Sequence, residues 1–366
     1  MTRTVDTLTT VQSRTYRLVQ PGIMEEFLID RVVRENEVVI EPTLSSICHA
    51  DLRYYTGKRR PEALKKKLPM ALLHEGVGTI VASKAPDLKP GQRVLIVPNI
   101  PGYLLDGVEP EDCCPACSGE LGENYCQRGR FLGSGYDGIA QSRLVMPAKS
   151  VLPIPDEVPD NIAVLAELIS VSYQAIKHLK DSFKTAKVAV FGDGPVGYLT
   201  SSLIHYLFRV ETERLLAFGA IAEKLNEFQF AKRALVQDYD FDNGEKVDIA
   251  IECTGGHFSS SAVNQAIQMM NPGGRIILMG VTEELVSINT RDVLEKGLIL
   301  VGSSRSTIPD YPPVVEAMKN PQYQKALKRL LPTQVIGIHS IEDLKQSFDE
   351  TAEHRDWKKT VLDFHW

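Results

Sequence analysis

Two domains of the α/β class, a mostly β part followed by a doubly wound parallel sheet, are predicted from three observations. The chain has 366 residues, more than the roughly 100–200 of a single domain. Up to about residue 155 it reads as short β-branched runs broken by turn signals. From about residue 160, apolar strand candidates alternate with helix-compatible stretches, the pattern of a parallel sheet with helices on both faces.

In the first part, Val38-Val39-Ile40, Val77-Gly78-Thr79-Ile80-Val81 and Arg93-Val94-Leu95-Ile96-Val97 are strand candidates, and Asp87-Leu88-Lys89-Pro90-Gly91 is a turn between the last two. They predict a partly closed β structure. The second part offers Lys187 to Phe191, Leu215 to Phe218, Val247 to Ile251, Arg275 to Met279 and Leu298 to Val301 as buried parallel strands. After Pro309 the elements are mixed, and Thr360 to Phe364 closes the chain as a strand. The predicted domains are therefore 1–160, with a cysteine lobe near 99–130, then 161–308, with 309–366 returning to the first.

With 43% hydrophobic and 24% charged residues the chain can bury large cores, which excludes a wholly disordered or collagenous protein. Lys plus Arg number 41 against 47 Asp plus Glu, and a net charge of −6 provides no basic field for a nucleic acid. Residues 1–17 lack the apolar core of a secretory signal, and no later span of about 20 apolar residues suggests a membrane helix. A cytoplasmic protein is expected. In that reducing setting thiols ligate metal, do chemistry or fill cores, and four of the six cysteines crowd into Cys113 to Cys126. Cys253, in an apolar run, reads as a small core residue.

Gly192-Asp193-Gly194-Pro195-Val196-Gly197 follows the strand candidate ending at Phe191 and opens a helix-compatible run. Strand, glycine turn and helix in that order are the context in which Gly192, Gly194 and Gly197 permit a tight turn and a close approach of backbone to a dinucleotide pyrophosphate, with Pro195 and Val196 starting the helix. This predicts a Rossmann domain. An NAD site expects Asp or Glu at the end of the second strand, where this chain has Gly219; that loss of negative charge favours NADP(H). Lys224 and Arg305 are the bases available for a 2′-phosphate.

Cys48, His74 and Glu167 offer a thiolate, an imidazole and a carboxylate, a workable zinc set with a position left for substrate. Singly, each has a plain structural reading: a small core cysteine, a satisfied buried histidine, and a solvated helix charge for Glu75 or Glu167. Together with Cys48-x-x-Asp51, His74-Glu75-Gly76, the glycine turn at 192–197 and Asn271-Pro272-Gly273-Gly274, they resemble the zinc-dependent medium-chain alcohol and polyol dehydrogenases over nearly the whole chain. The resemblance implies a GroES-like, mostly β catalytic domain beside the Rossmann domain. It implies Cys48, His74 and Glu167 as catalytic zinc ligands, Glu75 as an adjacent or exchanging ligand, and Asp51 as the residue orienting the histidine. Ala50 stands where many members have the Ser or Thr of a proton relay, so the proton is expected by way of Tyr54 or water at the metal.

Longer strings, Cys48 to Gly57, Leu68 to Glu75, Ser134 to Gly138, and Leu294 to Gly297 with Gly302 to Ser306, are similar to the ribulose-5-phosphate reductases (ribitol-5-phosphate dehydrogenases) of teichoic-acid and capsule synthesis. That resemblance implies NADPH-dependent reduction of D-ribulose 5-phosphate to D-ribitol 5-phosphate, a homodimer or homotetramer, and a cytidylyltransferase as pathway partner. Charge-assisted contacts to the substrate phosphate would come from His49, Arg53, the Lys58-Arg59-Arg60 run or Arg305, of which Arg53 and Arg305 sit inside the matched strings. The plain reading of Lys58 to Arg60, and of Lys65 to Lys67, is a solvated loop face.

Cys113, Cys114, Cys117 and Cys126 fall where many medium-chain dehydrogenases carry a structural zinc lobe, with irregular spacing. Either all four thiolates close a tetrahedral site, or Glu111 replaces Cys113; a metal-free reactive or disulfide-bonded loop is the alternative. Two further readings stand beside the reductase. One is an NAD-dependent zinc polyol or secondary-alcohol dehydrogenase acting on unphosphorylated substrates; the other, of a different class, is a catalytically silent nucleotide-binding protein, which would expect degraded zinc ligands.

Overall fold

A computed structural model describes residues 9–353 and 357–366; the expectations for the first eight residues lie outside it. In chain order the strands of the first part are β1 (Thr9–Gln20), β2 (Ile23–Val33), β3 (Glu37–Ser46), β4 (Met70–Ala71), β5 (Glu75–Ser83), β6 (Arg93–Ile96), β7 (Asn99–Ile100), β8 (Arg130–Phe131), β9 (Leu144–Pro147) and β10 (Val151–Pro153). Then come β11 (Val188–Phe191), β12 (Leu215–Gly219), β13 (Lys232–Leu235), β14 (Val247–Glu252), β15 (Met270–Leu278) and β16 (Ile299–Gly302), and finally β17 (Ile336–Ile338) and β18 (Val361–Phe364). Two short helices, α1 (His49–Tyr55) and α2 (Pro61–Lys67), lie between β3 and β4.

Contacts group the described residues into two units, one running up to Glu167 and including Thr307–Val315 and Leu331–Trp366, the other made of Leu168–Ser306 and Glu316–Leu330. In the first unit the strands run β10-β6-β5-β3-β18-β17, with β9 also paired to β3, and β2-β1-β4 form a smaller sheet. The hairpin β1–β2 is absent from the sequence-based reading. Its strands alternate buried positions with Thr, Arg, Glu and Asp, and Leu28 remains 66% exposed, so no dense apolar run announces it. Gly22, at φ 75°, makes the turn that joins them.

In the second unit six parallel strands stand in the order β13-β12-β11-β14-β15-β16, the order of a dinucleotide-binding doubly wound sheet. Its centre is apolar on both faces: every residue of β11 and β12 is buried, as expected of a parallel sheet covered by helices. Phe191 stacks on Phe218 with ring centroids 4.6 Å apart, and each such buried ring contributes roughly 1.5–3 kcal/mol. Edge strand β13 was not expected, because Lys232 and Arg233 face solvent and break its apolar pattern. The Asn271-Pro272-Gly273-Gly274 segment falls inside β15, ahead of the strand candidate Arg275 to Met279; Gly273 has φ 77° and the pairing with β14 is irregular.

Asp137 ties together the three strands of the small sheet. Its carboxylate accepts Arg17 Nε at 2.8 Å, Arg17 and Arg31 guanidinium nitrogens at 2.6 Å each, and the Ala71 amide at 3.0 Å. Burial alone would raise this carboxyl, but the two guanidinium groups and the amide outweigh it and hold it below its ordinary value. Its contribution is therefore present above the unfolded carboxyl value of about 3.9 and lost as pH falls through the lower folded value. Asp137→Asn should lower unfolding free energy at pH 7 by about 1–3 kcal/mol, with the gap to wild type closing in acid. Urea unfolding at neutral and acidic pH measures it; equal stability at pH 7 would show that the three strands need no such tie.

Candidate active site

The register of three strands places the first cluster. Ser46, the last residue of β3, lies opposite Glu75, the first of β5, and also opposite Val361, the first of β18. Cys48 therefore leaves β3 at the point where His74 enters β5. One ligand atom from each of Cys48, His74 and Glu75 lies within 4.8 Å of the others, and His74 and Glu75 are buried. Glu167, in the first turn of the helix Ala166–Ile176, is buried too but stands outside that set.

Asp51 organises these groups. Fully buried, it accepts the Cys48 amide at 3.1 Å through Oδ2 and the Leu73 amide at 3.0 Å through Oδ1, and Oδ1 also lies 3.3 Å from His74 Nδ1. Turning Nδ1 toward a carboxylate leaves Nε2 as the ring's metal-binding nitrogen. Burial pulls the imidazole down, but the Asp51 and Cys48 charges and hydrogen bonds outweigh it and raise His74 well above its ordinary value. Burial and the Glu75 charge push the Cys48 thiol up, and a bound cation opposes that rise by favouring thiolate.

Leu73, next to His74, has φ 74°, the left-handed region that branched residues avoid. It is held there by Asp51 and by the Ile139 amide, which donates to its carbonyl at 2.8 Å. Gly138 sits so close that a Cβ would fall inside contact distance of the Leu72 and Leu73 carbonyl oxygens.

Two contributors escaped the sequence reading. Ser46 Oγ donates to Glu75 Oε2, and Lys359 Nζ lies 2.7 Å from the same oxygen and donates to the Ile47 carbonyl at 3.0 Å. Burial would lower the Lys359 ammonium, but the Glu75 and Cys48 charges outweigh it and raise the group. Nothing in Trp357-Lys358-Lys359-Thr360 signals this; β18 alone brings it in. Glu75 Oε1 has no hydrogen-bond partner although buried, so the carboxylate presents one oxygen to the cluster. Burial pushes Glu167 up to about 7, with Glu75 and Asp51 adding to the rise and His74 and Lys359 opposing it. A sulfur, a nitrogen and an orphaned carboxylate oxygen converging in a buried place are a donor set that fits zinc.

The second cluster is the cysteine lobe. The Sγ atoms of Cys113 and Cys126 are 3.7 Å apart, Cys114 and Cys117 3.6 Å, and Cys114 and Cys126 3.8 Å. Zinc–sulfur bonds of ~2.3 Å in a tetrahedron give sulfur separations of about 3.8 Å. The Gly102 amide donates to Cys126 Sγ at 3.2 Å, and the amides of Gln127, Cys117 and Ala116 together draw the Cys114 thiol down to about 6 despite the opposing desolvation. Glu111 is exposed and lies outside the four-sulfur set.

In the second unit, Gly192 (φ 130°) leaves β11, and Gly194 precedes the helix Pro195–Tyr206, with Pro195 in its first turn, followed by Val196 and Gly197. A Cβ on Gly197 would run into the Gly192 carbonyl, which is why the helix can pack this close to the strand. Gly219 ends β12 without a carboxylate of its own. Asp193, however, brings one there from the glycine turn: its Oδ2 accepts the Ala220 and Ile221 amides at 2.8 Å each, and a Cβ on Gly219 would meet it at 2.8 Å. Reading only the strand end for an acid missed this group. Glu252, at the end of β14, accepts the Thr254, Gly255 and Gly280 amides and fixes the loops beyond β14 and β15. Cys253 is half-buried rather than sealed in the core, and burial pushes its thiol up to about 12.

Of the phosphate candidates, His49 and Arg53 lie on α1 of the first unit, exposed and half-buried respectively, while Arg305 lies exposed in the second unit at φ 62°. Tyr54 is buried, and its hydroxyl meets Lys67 and Ser134.

Residues 34–156 match the alcohol dehydrogenase GroES-like domain, and residues 218–320 match the zinc-binding dehydrogenase domain. The ribulose-5-phosphate reductase of Bacillus spizizenii is 36% identical over 357 residues, 96% of this chain and 99% of that protein. The ribulose-5-phosphate reductase of Streptococcus pneumoniae is 34% identical over 91% of this chain and 92% of its own length. Among solved structures, S. aureus TarJ in complex with NADPH has a TM-score of 0.81 at 31% identity, covering 97% of this chain and 100% of that one.

Gly138→Ala should force Leu72 and Leu73 away from the segment that holds them and destabilise the protein by about 1–3 kcal/mol. Denaturant unfolding checks this; an unchanged midpoint would mean that the Leu73 conformation does not depend on Gly138.

Proposed function

The chain belongs to the zinc-dependent medium-chain dehydrogenases, among the ribulose-5-phosphate reductases, and on that premise we propose that it reduces D-ribulose 5-phosphate to D-ribitol 5-phosphate with NADPH. The observation that carries the reading is the buried Cys48, His74 and Glu75 cluster in a chain collinear with reductases of that name over 96% of its length. Cys48, His74 and Glu75 would hold a zinc ion, which supplies Lewis acidity to a carbonyl oxygen, and NADPH supplies the hydride.

The chain's own residues do the rest. Asp51 fixes the His74 ring and the start of α1. Lys359 and Ser46 hold one oxygen of Glu75 and leave the other facing the cluster. Glu167, the third zinc ligand that the resemblance implies, lies within electrostatic reach of both His74 and Glu75; because Glu75 is the carboxylate grouped with Cys48 and His74, Glu167 is assigned the exchanging role in its stead. Gly192, Gly194 and Gly197 let backbone approach the pyrophosphate at the helix that Pro195 and Val196 begin. Arg305 is assigned to the cofactor 2′-phosphate, and His49 and Arg53 to the sugar phosphate. Because Ala50 carries no hydroxyl, the proton that completes the new alcohol group is assigned to water.

Cys113, Cys114, Cys117 and Cys126 are assigned a structural zinc ion that stiffens the acidic lobe around them. The catalytic part, proposed as 1–160 and 309–366 around a dinucleotide-binding part at 161–308, extends to Glu167 in the contact grouping, and 316–330 groups with the second unit. Among the described residues no helix is long and apolar enough to cross a membrane. A cytoplasmic setting fits the six unpaired thiols. A homodimer or homotetramer, and a cytidylyltransferase that consumes the product toward a teichoic-acid or capsule polymer, complete the reading.

NADPH oxidation with D-ribulose 5-phosphate should be rapid and chelator-sensitive, and much slower with D-ribulose or with NADH. Zinc-loaded protein that ignores the phosphate ester but oxidises free polyols with NAD would overturn both the substrate and the cofactor. Metal analysis should find about two zinc ions per chain, falling to about one in Cys113→Ser and unchanged in Glu111→Gln. The opposite pattern would place Glu111 in the lobe's metal site.

A further inference from the structure

A second polar cluster in the first unit joins three separate segments. Lys67, the last residue of α2, donates from Nζ to Tyr54 Oη at 2.9 Å and to Ser134 Oγ at 2.7 Å, and those two oxygens are 3.2 Å apart. Arg59 lies over the same Tyr54 ring, its guanidinium carbon 4.8 Å from the centroid, and the Lys67 ammonium is 5.6 Å from it. Tyr54 is buried and Lys67 and Ser134 are half-buried.

The charges do not balance. Among the described residues no carboxylate pairs with Lys67; the partners of this partly desolvated ammonium are two neutral hydroxyls. Lys65 and Lys66 precede it on α2, so the local excess is positive. An ammonium has three donors, and two are used. Both hydroxyl oxygens accept from Lys67, and one hydroxyl proton is taken by the contact between them. That leaves a third N–H and one O–H directed at nothing within the cluster, in a partly water-excluded place. A dianion with several acceptor oxygens answers both the charge and the spare donors. Burial would raise the Tyr54 phenol, but Lys67, Ser134 and Arg59 together lower it, as a positive surplus requires.

Position agrees with chemistry. Tyr54 lies six residues after Cys48, the N-cap of α1, a helix rise of about 9 Å from the residue proposed to hold the metal. In ribulose 5-phosphate three carbons separate the reactive carbonyl from the phosphate. Accepting the reductase reading above, the geometry points to Lys67, Ser134 and Tyr54, with Arg59 above the ring, in place of His49 and Arg53, as the subsite that receives the substrate's terminal phosphate. Lys67 is thereby a specificity residue, although the sequence presents it as one of three lysines on a solvated face.

The test is Lys67→Met beside Lys67→Arg and Ser134→Ala. Lys67→Met should raise KM for D-ribulose 5-phosphate by about 10- to 100-fold while kcat and the KM for NADPH move less than about threefold, and Lys67→Arg should recover part of the loss. A fall in kcat without a KM change would overturn the assignment, as would equal effects on both substrates. Inorganic phosphate binding to the zinc-loaded enzyme, followed by phosphorus NMR line broadening, separates this inference from the reductase reading. Wild type should broaden the signal, with the effect weakened in Ser134→Ala and lost in Lys67→Met; equal broadening in all three would overturn it. If wild type fails to turn over ribulose 5-phosphate, the reductase reading falls, and the phosphate arm still decides whether this cluster holds an anion.

Discussion

The first unit depends on one register. Ser46 at the end of β3 faces Glu75 on one side and Val361 on the other, and Cys48, His74, Glu75 and Lys359 each lie at or a short step from one of those positions. A slip of one residue in either pairing would turn the side chains of that strand to the opposite face. Cys48 and His74 would part, or Lys359 would leave Glu75 as an unpaired buried carboxylate. Strand pairing, held by many backbone hydrogen bonds, thus sets distances that the ligands could not set by themselves.

Within that frame Asp51 converts position into orientation. One carboxylate binds the first amide of the α1 turn, the amide of a strained leucine and the edge of an imidazole. The cost of the left-handed Leu73 is of order 1–3 kcal/mol, and it is offset by groups that are themselves buried and satisfied. The result is a buried histidine whose Nδ1 faces the Asp51 carboxylate at 3.3 Å. Glu75 follows the same logic with different partners, one oxygen anchored by Ser46 and Lys359 and the other held toward the cluster.

The dinucleotide-binding sheet was legible in detail because its signals are local. Four-residue apolar strands, a glycine turn and a helix start occupy consecutive positions, so the chain order itself displays the motif. The edge strand β13 and the hairpin β1–β2 were not legible, since strands half open to solvent carry too many polar residues to stand out. The cysteine lobe was legible as a cluster but not as a geometry. Its odd spacing left Glu111 and Cys113 as rivals, and the fold brings the Cys113 sulfur to the other three while Glu111 points outward.

Residue type and local order by themselves determined the two-part α/β architecture and the glycine cradle, and pointed to Cys48, His74 and Glu167 as a donor set with Glu75 beside it; the fold groups Glu75, rather than Glu167, with Cys48 and His74. Tertiary structure decided what surrounds them. Lys359 reaches Glu75 across nearly the whole chain, Asp193 sets its carboxylate against a strand end that sequence shows as glycine, and Lys67 departs from its neighbouring lysines by meeting Tyr54 and Ser134. The physical reason is the same in each case. A charge acquires its role from the partners that desolvate or neutralise it, and those partners are brought near by sheet register and chain return rather than by proximity in sequence.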